Sequence, residues 1–178
     1  MKSLRSIRQL NSTTSYPFLF HVFDDYKRGI IDLDTLEKVL QFLFSYLLRR
    51  SVCGIPTNSL RGLFTYLYSR VFKVKGNKEK YYPAINKFLC TLMTKDAMPT
   101  DVEFEQALKQ TKIYSNAALC KFILMDIENG GGKETLDINS LTIEHIMPQT
   151  LNLEWKHISE ENHKQYLHVL GNLSVSGY

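Results

Sequence analysis

Hydrophobic residues recur at helical spacing along most of the first 132 positions of this 178-residue chain. Six stretches combine that pattern with residues typical of helix ends, and each predicts a helix. They are 16–29, 32–50, 59–74, a helix within 79–95 that begins near Pro83, a helix from the capping box of Thr100 and Glu103 to Lys112, and 116–132. The pattern therefore predicts a mainly α body.

The longest apolar run, VLQFLFSYLL, lies in the second of these helices. It is interrupted by Gln41 and Ser45 and is followed by Arg49 and Arg50, so it is too short to cross a bilayer. Its wide apolar face indicates a helix at the centre of a bundle. No segment of the sequence predicts a membrane span.

The hydrophobic pattern changes after Gly132. Leu141, Ile143 and His145 alternate with polar residues, which predicts a strand. ISEENHKQYLHVLG (158–171) then predicts a short helix, and NLSVSGY the start of a second strand. The predicted organisation is a helical domain over 1–132, followed by a small strand–loop–helix–strand unit over 133–178.

Charge and cysteine usage narrow the setting. Residues 1–80 carry 14 Lys and Arg against 6 Asp and Glu, whereas residues 81–178 carry 8 against 12. A basic half favours a polyanionic partner. On the charge alone, an ordinary solvated surface is the simpler interpretation. The three cysteines are far apart and form no CxxC pair, which indicates a reducing compartment and argues against a disulfide framework or a zinc ribbon. No secretory signal is visible, so we expect a cytoplasmic protein.

The candidate chemistry lies at the end of the first predicted strand, in EHIMPQT (144–150). His145 is suited to act as a general base near neutral pH, and Glu144 offers the oxygen ligand that Mg²⁺ prefers. Pro148 cannot donate to a sheet, so the strand must end and a loop must open. GNLSV (171–175) is a plausible partner strand. These residues together predict the front part of a metal-dependent phosphodiesterase site.

EHIMPQT, the following Trp155 and YLHVLGNLSV resemble the HNH (His-Me finger) signature of GmrSD-type restriction endonucleases, in their C-terminal nuclease region. RRSVCGIPT (49–57), MPTDVEF (98–104) and FILMDIEN (122–129) agree, so the resemblance covers essentially the whole chain. It implies a helical body followed by a ββα-metal (HNH) unit that is truncated at its C-terminus. It also implies a DNA endonuclease of a restriction and defence system.

The resemblance assigns roles residue by residue. His145 would be the general base, Glu144 the acidic metal ligand, and Asn172 the middle asparagine that braces the hairpin. The cofactor would be Mg²⁺ or Mn²⁺. The partners would be DNA, including modified DNA, and an N-terminal nucleotide-hydrolysing region that this sequence lacks.

Two features depart from the family pattern. Neighbouring strand residues point to opposite faces, so Glu144 and His145 converge on one metal only if the strand bends. The family pattern also continues into a helix with a last metal ligand, which would lie beyond Tyr178, so we expect an incomplete site. The alternative reading is a non-catalytic helical module for binding protein or DNA, with an unfinished nuclease motif.

Other polar residues keep two interpretations each. Six cations are candidates for phosphate contact, and a solvated surface or a helix terminus is the alternative for each. They are Arg49, Arg50, Lys73, Lys75, Lys78 and Lys80. The remaining C-terminal histidines (157, 163 and 168) invite a zinc site, but no two share the i, i+4 spacing, so surface or core histidines are the simpler interpretation.

Overall fold

The computed structural model describes residues 2–10, 13–131 and 141–177. The chain forms two compact units, Met1–Thr100 and Asp101–Tyr178. The predicted domain boundary between 132 and 133, and the strand-like pattern of 133–140, lie outside the described residues. Among the helices of the described ranges, none combines the length and the hydrophobicity that a membrane span needs.

The first unit is built from helices that surround one apolar core. Their bounds are α1 Lys2–Gln9, α2 Tyr16–Lys27, α3 Leu33–Val52, α4 Leu60–Phe72 and α5 Tyr81–Cys90. Helices α2 to α5 occupy the predicted stretches, although α5 begins two residues before Pro83, which the first turn of a helix tolerates. Helix α1 was not predicted, because its short sequence is dominated by polar and basic residues.

Helix α3 lies at the centre of this unit, as predicted, and contacts α1, α2 and α5. Its N-terminus is capped by Asp32, whose side chain accepts a hydrogen bond from the Thr35 amide at 2.8 Å. Phe44 of its apolar face is partly buried against the core, and the other residues of that face are buried: Leu36, Val39, Leu40, Leu43 and Leu47. The wide face therefore packs on several neighbours at once.

A buried carboxylate links three helices of the first unit. Asp25 in α2 is 1% exposed, and it accepts hydrogen bonds from Tyr68 Oη of α4 at 2.6 Å and from Tyr81 Oη of α5 at 2.8 Å. Lys78 Nζ lies 3.3 Å from the same carboxylate. Burial alone would raise the pKa of Asp25, but the two tyrosine hydrogen bonds and the Lys78 charge outweigh it, and the pKa is lowered.

The second unit joins helices to a two-stranded sheet. Its elements are α6 Asp101–Gln110, α7 Ala117–Gly131, β1 Leu141–His145, α8 Glu160–Tyr166 and β2 Leu173–Gly177. Helix α7 packs against both strands, and its apolar residues form the core beneath them. Short 3-10 turns occupy Ile113–Ser115, Leu153–Trp155 and Leu170–Asn172.

Strands β1 and β2 pair antiparallel, with Leu141 opposite Gly177 and His145 opposite Leu173. Along β1 the side chains alternate between half-buried and exposed, so Leu141, Ile143 and His145 share the inner face, as predicted. The predicted partner strand is confirmed as well. A mainly α chain with a small antiparallel hairpin near its C-terminus is therefore the observed fold.

Candidate active site

His145 is the last residue of β1, and it stands where the hairpin opens into the long loop between the strands. The strand cannot continue through Pro148, so the chain turns away directly after the imidazole. The ring is half-buried on the inner face of the hairpin. The imidazole is thus placed at the junction between the strand and the loop, where it is neither fully covered nor fully exposed.

Asn172 closes the loop at the point where it returns to the sheet. Its Oδ1 accepts a hydrogen bond from the Met147 amide at 2.7 Å, and its Nδ2 donates to Leu167 O at 2.8 Å and to Met147 O at 3.3 Å. Its backbone carbonyl accepts from the Ile146 amide at 2.9 Å. The side chain is 8% exposed, so these bonds are sheltered from water and hold both ends of the loop together.

His145 has a partner that the sequence did not assign. Its Nε2 lies 3.2 Å from Nδ1 of His168, which precedes the Leu170–Asn172 turn. Its other ring nitrogen, Nδ1, lies 3.4 Å from the exposed side-chain nitrogen of Gln149. The imidazole is thus held from both sides, by a half-buried histidine and by an exposed amide.

Tyr114 covers this pair of histidines. Its ring stacks on His168 with centroids 5.2 Å apart and an angle of 9°, and it meets His145 edge-on at 4.6 Å. Its backbone amide donates to His168 O at 3.3 Å. Tyr114 belongs to the turn between α6 and α7, far from His145 in sequence, and no local pattern marked it.

The surroundings of His145 favour its neutral form. Burial lowers the pKa of the imidazole, the neighbouring His168 lowers it too, and the opposing effect of Glu144 is smaller. A neutral imidazole can accept a proton, which is the property that a general base requires.

Glu144 lies on the other face of β1. Its side chain is exposed, and its Oε1 accepts a hydrogen bond from Thr142 Oγ1 at 3.1 Å on that face. The strand is regular up to His145, so the structure does not bring this carboxylate and the imidazole together. Within the described ranges, no group of three or more His, Cys, Asp or Glu side chains could hold a metal ion. The side-chain atoms described closest to His145 are nitrogens of His168 and Gln149, and not the oxygen ligands that Mg²⁺ prefers.

The other histidines of this unit do not join them. His163 Nε2 lies 2.9 Å from Pro148 O and so bridges α8 to the loop after β1. His157 is exposed and stacks on Trp155 with centroids 5.9 Å apart. Neither of these two side chains contacts His145 or His168 in the contacts described.

The six candidate cations differ in their exposure. Arg50 is 1% exposed, and its guanidinium donates to the carbonyls of Lys95, Ala97 and Pro56, so it has no free surface for a phosphate. Arg49 is half-buried and donates to Pro99 O at 3.2 Å.

The four lysines of the loop between α4 and α5 are all exposed. Lys78 is engaged with Asp25, whereas Lys73, Lys75 and Lys80 extend from the surface of the first unit. Three of the six cations are thus presented to solvent without being drawn into the core.

Comparison with protein families matches residues 98–177 to the model for GmrSD restriction endonucleases, C-terminal domain. The matched stretch covers the second unit up to residue 177 and the three residues before it. No match was found among curated proteins or among solved structures. The resemblance to the C-terminal domain of GmrSD restriction endonucleases is therefore confirmed for residues 98–177. The HNH nuclease assignment, and the resemblance of the helices before residue 98, stay predictions.

Proposed function

We propose that the second unit is the nuclease region of a GmrSD-type restriction endonuclease, and that it hydrolyses DNA phosphodiester bonds in the cytoplasm. The observation that carries the proposal is the placement of His145. It ends β1 of a hairpin whose loop is closed by Asn172, within the stretch that matches the C-terminal domain of these enzymes. Its pKa is lowered, so the imidazole is available as a proton acceptor.

In the proposed reaction, His145 takes a proton from a water molecule at its accessible Nδ1 edge. The water oxygen then forms a bond to phosphorus, the bond from phosphorus to the leaving oxygen breaks, and the leaving oxygen gains a proton from solvent. Asn172 contributes by fixing the loop from which the histidine edge is presented. The protein mainly positions the reactants in such a step.

A divalent cation, Mg²⁺ or Mn²⁺, belongs to the proposal, with Glu144 as its carboxylate ligand. Such an ion would stabilise the negative charge that develops on the phosphate. The described residues do not gather the oxygen ligands for it, because Glu144 faces away from His145. Glu144 can serve only if β1 bends locally or if further ligands come from outside the described residues.

DNA, including modified DNA, is the proposed substrate, and a nucleotide-hydrolysing region is the proposed partner. The exposed lysines 73, 75 and 80 of the first unit are the proposed contacts to the phosphate backbone. The strand with His145 lies in the acidic half of the chain. The affinity for DNA must therefore come largely from the first unit or from the proposed partner.

The test is cleavage of supercoiled plasmid by the protein with Mg²⁺ or Mn²⁺, together with the proposed nucleotide-hydrolysing partner and its nucleotide. His145→Ala should abolish nicking, and His157→Ala, an exposed histidine in the same unit, should leave it unchanged. EDTA should stop the reaction. Nicking that survives His145→Ala would remove the proposed base.

The second candidate is a non-catalytic helical module that binds protein or DNA. The observation that favours it is the separation of Glu144 from His145 in a regular strand. Retarded migration of DNA with no nicking in any divalent cation, by wild type and His145→Ala alike, would select this module.

A further inference from the structure

The imidazoles of His145 and His168 form one unit rather than two separate side chains. We propose that His168 is a positioning residue, which fixes the tautomer and the ring orientation of His145 so that Nδ1 faces the attacking water. This inference rests on the proposed function, because it describes how the proposed base is held. His168 itself would touch neither water nor phosphate.

Donor and acceptor chemistry sets the direction of each bond. The side-chain nitrogen of Gln149 carries two protons and can only donate, so Nδ1 of His145 accepts along the 3.4 Å contact. A neutral imidazole has one N–H, and with Nδ1 as the acceptor we infer that it lies on Nε2. That proton points at Nδ1 of His168, 3.2 Å away, which therefore accepts.

His168 is itself firmly held. Its carbonyl accepts from the Tyr114 amide at 3.3 Å, and its ring lies parallel to the Tyr114 ring at 9°. A rotation of the His168 ring would therefore lose both its stack on Tyr114 and its hydrogen bond to His145. Tyr114 also contacts His145 edge-on. The acceptor nitrogen is thus presented at a fixed place.

The side-chain amide of Gln149 occupies the position beside His145 Nδ1 where the attacking water would bind. Gln149 is exposed and its contact with Nδ1 is long, so a water molecule can replace it and direct an O–H at the same nitrogen. If the hydrogen bond to His168 were lost, the His145 proton could move to Nδ1. The fraction of molecules in that tautomer could not accept a proton from the water at Nδ1.

Two substitutions of His168 distinguish the effect of its acceptor nitrogen from the effect of its ring. His168→Phe keeps a ring that can stack on Tyr114 but has no acceptor. His168→Asn loses the ring but keeps an oxygen where Nδ1 stood. His157→Phe is the matched control, since that histidine is exposed and stacks on Trp155.

The first measurement is the tautomer of His145, from long-range proton–nitrogen NMR spectra of the full chain. We expect the proton on Nε2 in the wild type, in His168→Asn and in His157→Phe. His168→Phe should shift the population toward the Nδ1–H form. A wild-type proton on Nδ1, or unchanged His145 signals in a folded His168→Phe variant, would overturn the inference. If His168→Phe does not fold, the wild type and His168→Asn decide it: an Nδ1–H proton in either refutes it.

The second measurement is plasmid nicking at increasing DNA concentration. His168→Phe should lower the maximal rate about 10- to 100-fold, as the loss of an orienting partner does elsewhere, with the half-saturating DNA concentration unchanged. His168→Asn should recover most of the rate. Equal rates for wild type and His168→Phe would refute the positioning role and leave the nuclease proposal intact. If the wild type does not cut DNA at all, the nuclease proposal fails, while the tautomer spectra still decide how His168 holds His145.

Discussion

Asn172 and Met147 exchange two hydrogen bonds, from the Met147 amide to Asn172 Oδ1 at 2.7 Å and from Asn172 Nδ2 to Met147 O at 3.3 Å. A side-chain amide here pairs with a peptide group as a neighbouring strand would. The pairing continues the sheet by one step beyond His145, and it ties the start of the loop to its end. The strand that carries His145 is thereby fixed at the residue where it leaves the ladder.

Replacing Asn172 by alanine should loosen this loop. The buried Met147 amide would lose its acceptor, and an unpaired buried donor costs about 1–3 kcal/mol of unfolding free energy. Nicking should fall because His145 would lose its fixed position. Urea unfolding and the plasmid assay measure the two effects.

Asn162→Ala is the matched control for that substitution. Asn162 is an exposed residue of α8, so its replacement should change the unfolding free energy by less than about 0.5 kcal/mol. Wild-type stability and activity in Asn172→Ala would show that the loop does not depend on this side chain.

Asp25 predicts how the stability of the first unit varies with pH. Its folded pKa lies below the ordinary value of 3.8, so its contribution is fully present above pH 3.8 and is lost as the pH falls through the folded pKa. Asp25→Asn should lower the unfolding free energy by about 1.5–3 kcal/mol at neutral pH, because the tyrosines lose a charged acceptor. The difference in unfolding free energy between Asp25→Asn and the wild type should become smaller below pH 3.8.

Asp24→Asn provides the comparison for Asp25. Asp24 is the adjacent acid, with a side chain 58% exposed that pairs with Arg28 across one helical turn. Its replacement should shift stability little, since exposed pairs of this kind contribute less than about 1 kcal/mol. A gap between Asp25→Asn and wild type that stays constant down to pH 2 would contradict the assigned direction of the pKa.

Replacing Lys73, Lys75 and Lys80 together by alanine should weaken DNA binding and make it less sensitive to salt. The logarithm of the affinity falls as the logarithm of the salt concentration rises, and each phosphate contact removed makes that slope less steep by about 0.9. Titrations of a fluorescent duplex at several salt concentrations measure this slope.

A triple variant of equal charge change serves as the control for the lysines. Arg28, Arg61 and Lys87 are exposed cations of the same unit outside the loop between α4 and α5. If both triple variants lose the same affinity and slope, the effect belongs to net charge and not to that loop.

Glu144→Gln should raise the Mg²⁺ concentration needed for half-maximal nicking, because an amide is a weaker ligand than a carboxylate. Glu154→Gln, an exposed acid of the same loop region, should not. Identical Mg²⁺ curves for Glu144→Gln and wild type would leave Glu144 as an exposed strand residue that hydrogen-bonds Thr142.

Much of the fold follows from local patterns. The alternation around Ile143 predicts β1, and GNLSV predicts its partner, because a hairpin that buries one face must repeat every second residue. The site itself is less predictable. His168 lies 23 residues from His145, and their contact depends on the path of the whole intervening loop, which no periodicity records.

Arg50 is a second residue whose environment the local sequence does not predict. Its sequence position, at the basic end of a helix, is typical of a surface residue. In the structure three backbone carbonyls from two other segments meet its guanidinium, and these supply the acceptors that make its burial possible. Local sequence cannot reveal that those carbonyls are available, since they are placed by the fold of 56–97.

The turn that carries Tyr114 has a consequence for any attempt to isolate the proposed nuclease region. A protein shortened to begin at residue 133 would keep β1, β2 and both histidines, yet it would lose the aromatic ring that covers them and the α7 surface beneath the sheet. The smallest piece worth expressing therefore starts before Asp101, where the second unit begins.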